Sequence, residues 1–148
     1  MADGVQITVR GAREVQRALA KLPVDARLEM RRSLGLIAGR LTQAVRAAGR
    51  SDSKQSAQAA ETVRSQVRDL NVVISAGPHE LLFGSEFGVK RRFGWYAKPR
   101  YRRSKKRQFR PHLGAGSYWF FRAEQERRPE TDRQIEAVAD RVISRWSA

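Results

Sequence analysis

Between Lys90 and Arg110 the chain reads KRRFGWYAKPRYRRSKKRQFR, and the chemistry such residues can do is the capture of a polyanion. Eleven of the 30 basic residues fall here: Lys90, Arg91, Arg92, Lys98, Arg100, Arg102, Arg103, Lys105, Lys106, Arg107 and Arg110. No Asp or Glu lies between Glu86 and Glu124 to neutralise them. Aromatic side chains are threaded through the run at Phe93, Trp95, Tyr96, Tyr101 and Phe109. Lys and Arg are almost never buried unpaired, so the tract cannot make an ordinary core. Its cations suit phosphate contacts, which are strong, salt-sensitive and blind to sequence. Its aromatic rings suit stacking on bases or packing on a neighbouring surface. No zinc-finger spacing, aromatic RNA-reading pattern or basic zipper accompanies the tract, so sequence-specific reading is not expected.

Other chemistry has few residues to carry it. His79 follows Gly77-Pro78 and reads as a turn residue, and His112 follows Pro111 and reads as part of the basic loop; neither reads as catalytic or metal-ligating. There is no HExxH, no phosphate-loop GK[ST] and no GxSxG. Asp3, Asp25, Asp52, Asp69 and Glu86 fall on separate stretches. Two-metal phosphoryl chemistry needs several carboxylates around ions about 4 Å apart. Glu80 and Glu86 could supply a pair, but no third ligand stands at a distinctive spacing. The expectation is a protein that is not an enzyme and holds no metal or cofactor.

Composition agrees with a polyanion partner. The 148 residues carry a formal net charge of +15, with 41% apolar and 30% charged residues. That length suits one domain, 1–148, with a modest core. Self-repulsion at this charge favours binding to nucleic acid, an anionic membrane or an acidic protein. The absence of cysteine removes disulfides and thiolate metal sites. The opening MADGVQITVRG has no apolar signal region, and no window approaches 18 apolar residues. A cytoplasmic site of action, without a membrane partner, is expected.

The elements that must hold the tract follow from periodicity. Val5, Ile7 and Val9 alternate with Gln6 and Thr8, a short strand. Val15, Ala18, Leu19 and Leu22 follow helical spacing up to Pro23, which ends that helix or opens the next. Leu34, Ile37, Ala38, Leu41, Val45 and Ala48 make one apolar stripe of a long helix. Gly35 and Gly39 within it either permit close backbone packing or are simply tolerated. The polar Gly49–Gln58 stretch reads as a loop, with room for a helical turn near Ala57–Glu61. Val63 and Val67, then Leu70, Val72, Ile74 and Ala76, alternate as two strands about a turn near Asp69. After the Gly77-Pro78 turn, Leu81, Leu82 and Phe83 read as a third strand of an antiparallel meander. The first strand could join at an edge. Pro129 is expected to start the last helix, its N-terminal end favoured by Glu130 and Asp132. Ile135, Val138, Ala139, Val142 and Trp146 form its stripe. The class is α+β: a small antiparallel sheet covered by a long helix and a C-terminal helix. A basic arm or loop, residues 89–114, is inserted in it. As a hairpin over residues 88–114 with arms of about 13 residues, it would project roughly 40 Å at about 3.3 Å per residue.

This order of elements resembles a family. The opening strand followed by GAREVQRALAKLP, the long helix Val24–Ala48, the strand pair, the segment LLFGSEFG with Glu86, Phe87 and Gly88, and the aromatic SYWFFRAEQE at Ser117–Glu126 are similar to the tail-component proteins of long-tailed bacteriophages. These are head-to-tail connector, neck or tail-completion proteins. The chain departs from that pattern in lacking a Pro-x-x-Thr-Gly stretch within Ser51–Ala60 and in the length and charge of Lys90–Arg110. The resemblance implies a structural virion protein at the head-tail junction, assembled in the host cytoplasm, in a ring of six copies around the DNA channel. Its partners would be adjacent connector and tail rings and packaged DNA. Six copies would gather about +90 formal charges, six times the +15 of one chain, and so need anions nearby. The alternative is a free, non-sequence-specific nucleic-acid-binding protein, associated with ribosome or nucleoid.

Overall fold

The computed structural model describes residues 4–9, 13–89 and 109–147. In chain order the elements are β1 (Val5–Val9), α1 (Arg13–Ala20), α2 (Val24–Asp52), α3 (Lys54–Ala60), β2 (Arg64–Arg68), β3 (Asn71–Ala76), α4 (Leu82–Phe87) and α5 (Phe120–Trp146). The fold is α+β.

Alternating side chains set the sheet. β3 is the central strand, with β1 and β2 antiparallel on either side of it in the order β1-β3-β2. Val5, Ile7 and Val9 lie opposite Ala76, Ile74 and Val72, so the apolar members of both strands share one face. Gln6, Thr8, Arg64, Gln66 and Arg68 are exposed on their strands. A one-residue slip would exchange these faces, which pins the register. A two-residue turn joins β2 to β3, with Asp69 and Leu70 both at positive φ, 47° and 60°, as a mirror-image hairpin turn requires.

α2 lies across β2 and β3 and packs along α5. Its buried side chains are Ala26, Met30, Leu34, Ile37, Ala38, Leu41, Thr42 and Val45, ending at Gly49. α5 contributes Phe120, Ala123, Ile135, Ala139 and Val142 to the same core. At the far end of the helix pair Glu29 accepts from the Trp146 indole N–H (2.9 Å) and from Arg145 (3.2 Å).

Three expectations change. The stretch 49–58 is not a loop: α2 runs on to Asp52, and α3 follows at once. Gly49 belongs there because it touches Ala60 and Trp119, where an added Cβ would stand 2.5 Å and 2.9 Å away. Ser53 accepts from the Ser56 N–H (3.1 Å) and so caps α3. A Ser-rich string is equally a loop and a cap, and the alanines after it decide for helix. Second, Leu81–Phe83 belongs to no strand; Leu82 and Phe83 open α4, where Phe83 and Phe87 stack at 6.2 Å. The meander is therefore one hairpin, and β1 completes the sheet from the edge. Third, Pro129 lies inside α5, which starts at Phe120. Packing of the helix on both sides of Pro129 overrides the break, and the exposed Gln125 carbonyl it leaves can turn to water.

Candidate functional site

Ten of the eleven predicted contact cations, Lys90 to Arg107, lie outside the described residues, as do Phe93, Trp95, Tyr96 and Tyr101. Arg110, Phe109 and the points where the tract leaves and rejoins the fold are described. They make its root.

The root is built against α4. The Val89 N–H donates to the Arg110 carbonyl (2.8 Å), and Val89 and Pro111 form an isolated parallel bridge. A hairpin closes antiparallel, so the hairpin expected over 88–114 is not the arrangement at its base. Phe109 is buried with Leu81 and Val89 in a small apolar cluster of its own. Its ring presses on Gly84, where an added Cβ would lie 2.6 Å from it. Arg110 makes a two-pronged ion pair with Asp52 at the end of α2, at 3.0 and 2.5 Å. Its guanidinium also lies 3.7 Å from the centre of the Tyr118 ring. The Tyr118 hydroxyl donates to the Pro111 carbonyl (2.6 Å). Thus the last basic residue of the tract and its last aromatic both serve to fasten it.

Glu86, Phe87 and Gly88 each have a physical task beside that root. The Glu86 carboxylate is buried and accepts from the backbone N–H groups of Phe120 (2.7 Å), Phe121 (3.1 Å) and Trp119 (3.4 Å). The Ser117 hydroxyl donates to it as well, and the Tyr118 N–H donates to the Glu86 carbonyl (2.8 Å). The N-cap residue Trp119 makes no side-chain cap; Glu86, 34 positions upstream of Phe120, satisfies the first donors and meets the helix dipole, and the Ser117 hydroxyl accepts from the Arg122 N–H (3.1 Å). Burial pushes the Glu86 pKa up, and these hydrogen bonds pull against that effect. The Phe87 ring lies 6.0 Å from Phe121. Gly88 has φ +75°, and a Cβ there would meet the Pro111 carbonyl oxygen at 2.2 Å. Only glycine fits this approach.

The pairing of Glu80 with Glu86 around a metal is not available to this arrangement. Glu80 is exposed at a turn while both Glu86 oxygens are taken by α5 donors. Among the described residues no group of three or more His, Asp or Glu side chains is placed to share an ion. His79 Nδ1 accepts from the Leu81 N–H (3.1 Å), and His112 Nδ1 accepts from the Gly114 N–H (2.8 Å). His79 thus holds the turn after Gly77-Pro78, and His112 holds the backbone two residues on. No described helix is long and apolar enough to cross a membrane.

Sequence reasoning overlooked Asp52 and Tyr118 as anchors. A carboxylate at the end of a long helix and a Tyr in an aromatic cluster have no spacing that points to Arg110, 58 positions from Asp52. The signal for Glu86 was its isolation: a lone acid in an apolar segment ahead of a purely basic run. No family model matches the chain, and searches of curated proteins and of solved structures found no match.

Proposed function

We propose that this chain is a structural subunit of the head-to-tail junction of a long-tailed bacteriophage, a connector, neck or tail-completion protein. It assembles as a ring around the DNA channel, with six copies the expected number. Its basic tract meets packaged DNA or an acidic neighbouring ring, and it performs no catalysis.

The observation that carries this reading is the root of the tract. Ten cations lie between Val89 and Phe109, and the two ends of that segment are joined by one bridge beside the start of α5. A segment fixed at both ends and carrying such charge acts as a positioned phosphate contact, without sequence reading. The Glu-Phe-Gly turn supports the family resemblance, because all three residues are needed to set α5 and the root together. The net charge of +15 also suits the second reading, a free nucleic-acid-binding protein.

Replacing the ten cations from Lys90 to Arg107 by Gln in the phage that encodes the chain tests the proposal. Particles that fail to join heads to tails, or that lose DNA, are expected. Normal assembly, DNA retention and infectivity would overturn it. A stable monomer whose nucleic-acid affinity falls steeply with salt, in a host lacking any such particle, would favour the free protein.

A further inference from the structure

The sheet ends on both sides in an open strand edge, β1 on one and β2 on the other. The turn at Asp69 and Leu70 makes Arg68 and Asn71 a hydrogen-bonded pair, and such pairs alternate along an antiparallel ladder. Arg64, Gln66 and Arg68 therefore turn their backbone groups to β3, and Ser65 and Val67 turn theirs outward. By the same alternation Val5, Ile7 and Val9 bond to β3 from the other side, and Gln6 and Thr8 face outward. Among the described residues no hydrogen bond reaches these outward N–H and C=O groups. An open row of this kind is a template for another strand unless it is blunted. The fold closes β2 only ahead of the open stretch, where Arg46 donates to the Val63 carbonyl at 3.0 and 2.6 Å. β1 has no such device: its sequence VQITV carries no charge, proline or glycine.

Charge and facing select what fits the β2 edge. Against a second β2, Ser65 would bond across to Val67, and Arg64 would stand opposite Arg68 with no carboxylate on either strand. Like charges directly opposite are destabilising. β1 is uncharged and meets no such repulsion. Direction follows from the side chains. Val67 and Ile7 point to the core side of the sheet, while Gln6 and Thr8 are exposed on the other side. An antiparallel pair would set Val67 beside Gln6 or Thr8, and so turn the second copy's helices to the opposite side of the sheet. In a parallel pair Val67 bonds to the backbone of Gln6 and Thr8 while Ile7 stands beside it. Val67 and Ile7 are both half-buried against the core, so each covers what the other leaves exposed. The same register sets Gln66 beside Gln6 and Arg68 beside Thr8.

We propose that the open edge of β2 receives the open edge of β1 from a second copy of this chain, in parallel, so that the sheets of neighbouring copies run into one another. The two edges differ, so the contact is heterologous, the type that a closed ring requires. Every copy uses both edges, and a closed ring leaves neither open. The joint rests on the ring reading given above, and adds to it which strands meet.

Proline at an outward position removes an edge N–H and spares the ladder to β3. Thr8→Pro spoils the β1 edge and Ser65→Pro the β2 edge. Either variant alone should lose about tenfold or more in self-association by sedimentation, with far-UV circular dichroism unchanged. Mixed, they should form a dimer and nothing larger, because Thr8→Pro keeps its β2 edge and Ser65→Pro keeps its β1 edge. A charge pair gives a reading independent of proline. Thr8→Arg should weaken association about threefold by standing beside Arg68, and Arg68→Glu in the same chain should restore it. Association of Ser65→Pro alone as strong as wild type would overturn the joint in favour of β1 against β1. Wild-type association in both proline variants, or in Thr8→Arg, would overturn the joint and leave the ring reading standing. A wild-type chain that stays monomeric at every concentration overturns the joint as well, and the particle assembly assay then judges the ring separately.

Discussion

Glu86 and Arg110 are charged residues that the fold spends on itself. Burial raises the Glu86 pKa above the ordinary carboxylate value of about 4.3, against the pull of its hydrogen bonds. The folded protein therefore holds that proton more tightly than the unfolded chain does. This group's contribution to stability is present below the ordinary value and is lost as pH rises through the raised one. Glu86→Gln should cost about 2 kcal/mol at pH 7, because an amide turns donors toward the N–H groups of α5. Its deficit relative to wild type, read by urea unfolding, should widen on acidification toward pH 4. A deficit that narrows instead would mean that the hydrogen bonds dominate and the pKa is lowered. Arg110→Gln leaves Asp52, at 15% side-chain exposure, without its cation. A loss of about 1 kcal/mol is expected, since the pair is two-pronged but partly open to water.

Among the elements, α5 and the Gly88 turn carry the clearest expectations. Pro129 sits mid-helix and exposed, where proline is about 3 kcal/mol worse than Ala. Pro129→Ala should stabilise the protein by about 1–3 kcal/mol in chemical denaturation. No gain would show that the packing on either side depends on the bend. Gly88→Ala combines a positive φ with a Cβ 2.2 Å from the Pro111 oxygen, so a loss above about 2 kcal/mol is expected. Limited proteolysis within residues 90–108 should quicken as the root loosens, and unchanged cleavage would separate the root from the tract. Stripes long enough to show a period, as in α2 and the second half of α5, were legible in the sequence. So was the β2–β3 hairpin. Leu81–Phe83 was not, because three apolar residues fit either period. The start of α5 was hidden for a different reason: most of its cap comes from the distant Glu86, and Ser117, whose hydroxyl accepts from the Arg122 N–H, stands three residues ahead of Phe120, outside the usual N-cap position. The root was hidden likewise, since Asp52 and Tyr118 meet Arg110 only in three dimensions.

For the whole molecule, charge must be divided between cations that bind a partner and cations that hold the fold. The logarithm of affinity for DNA should fall with the logarithm of salt at a slope of about −0.9 per phosphate contacted. Arg110 is already paired, so Arg110→Gln should change that slope by less than about one unit while lowering stability. The ten-Gln variant from Lys90 to Arg107 removes ten of the +15 charges and touches no described contact. Its unfolding free energy should hold or rise, because self-repulsion falls. Its salt slope should shrink by at least about four contacts, measured by fluorescence titration on duplexes of unrelated sequence. All those duplexes should bind alike, since phosphate contacts carry no sequence information. An unchanged slope would transfer the polyanion contact to the cations of α2 that have no carboxylate partner among the described residues, Arg27, Arg31, Arg32 and Arg40. With the tract as the contact, DNA should promote assembly by screening the +15 of each copy, so added duplex should raise the sedimenting mass of wild type and leave that of the ten-Gln variant unchanged.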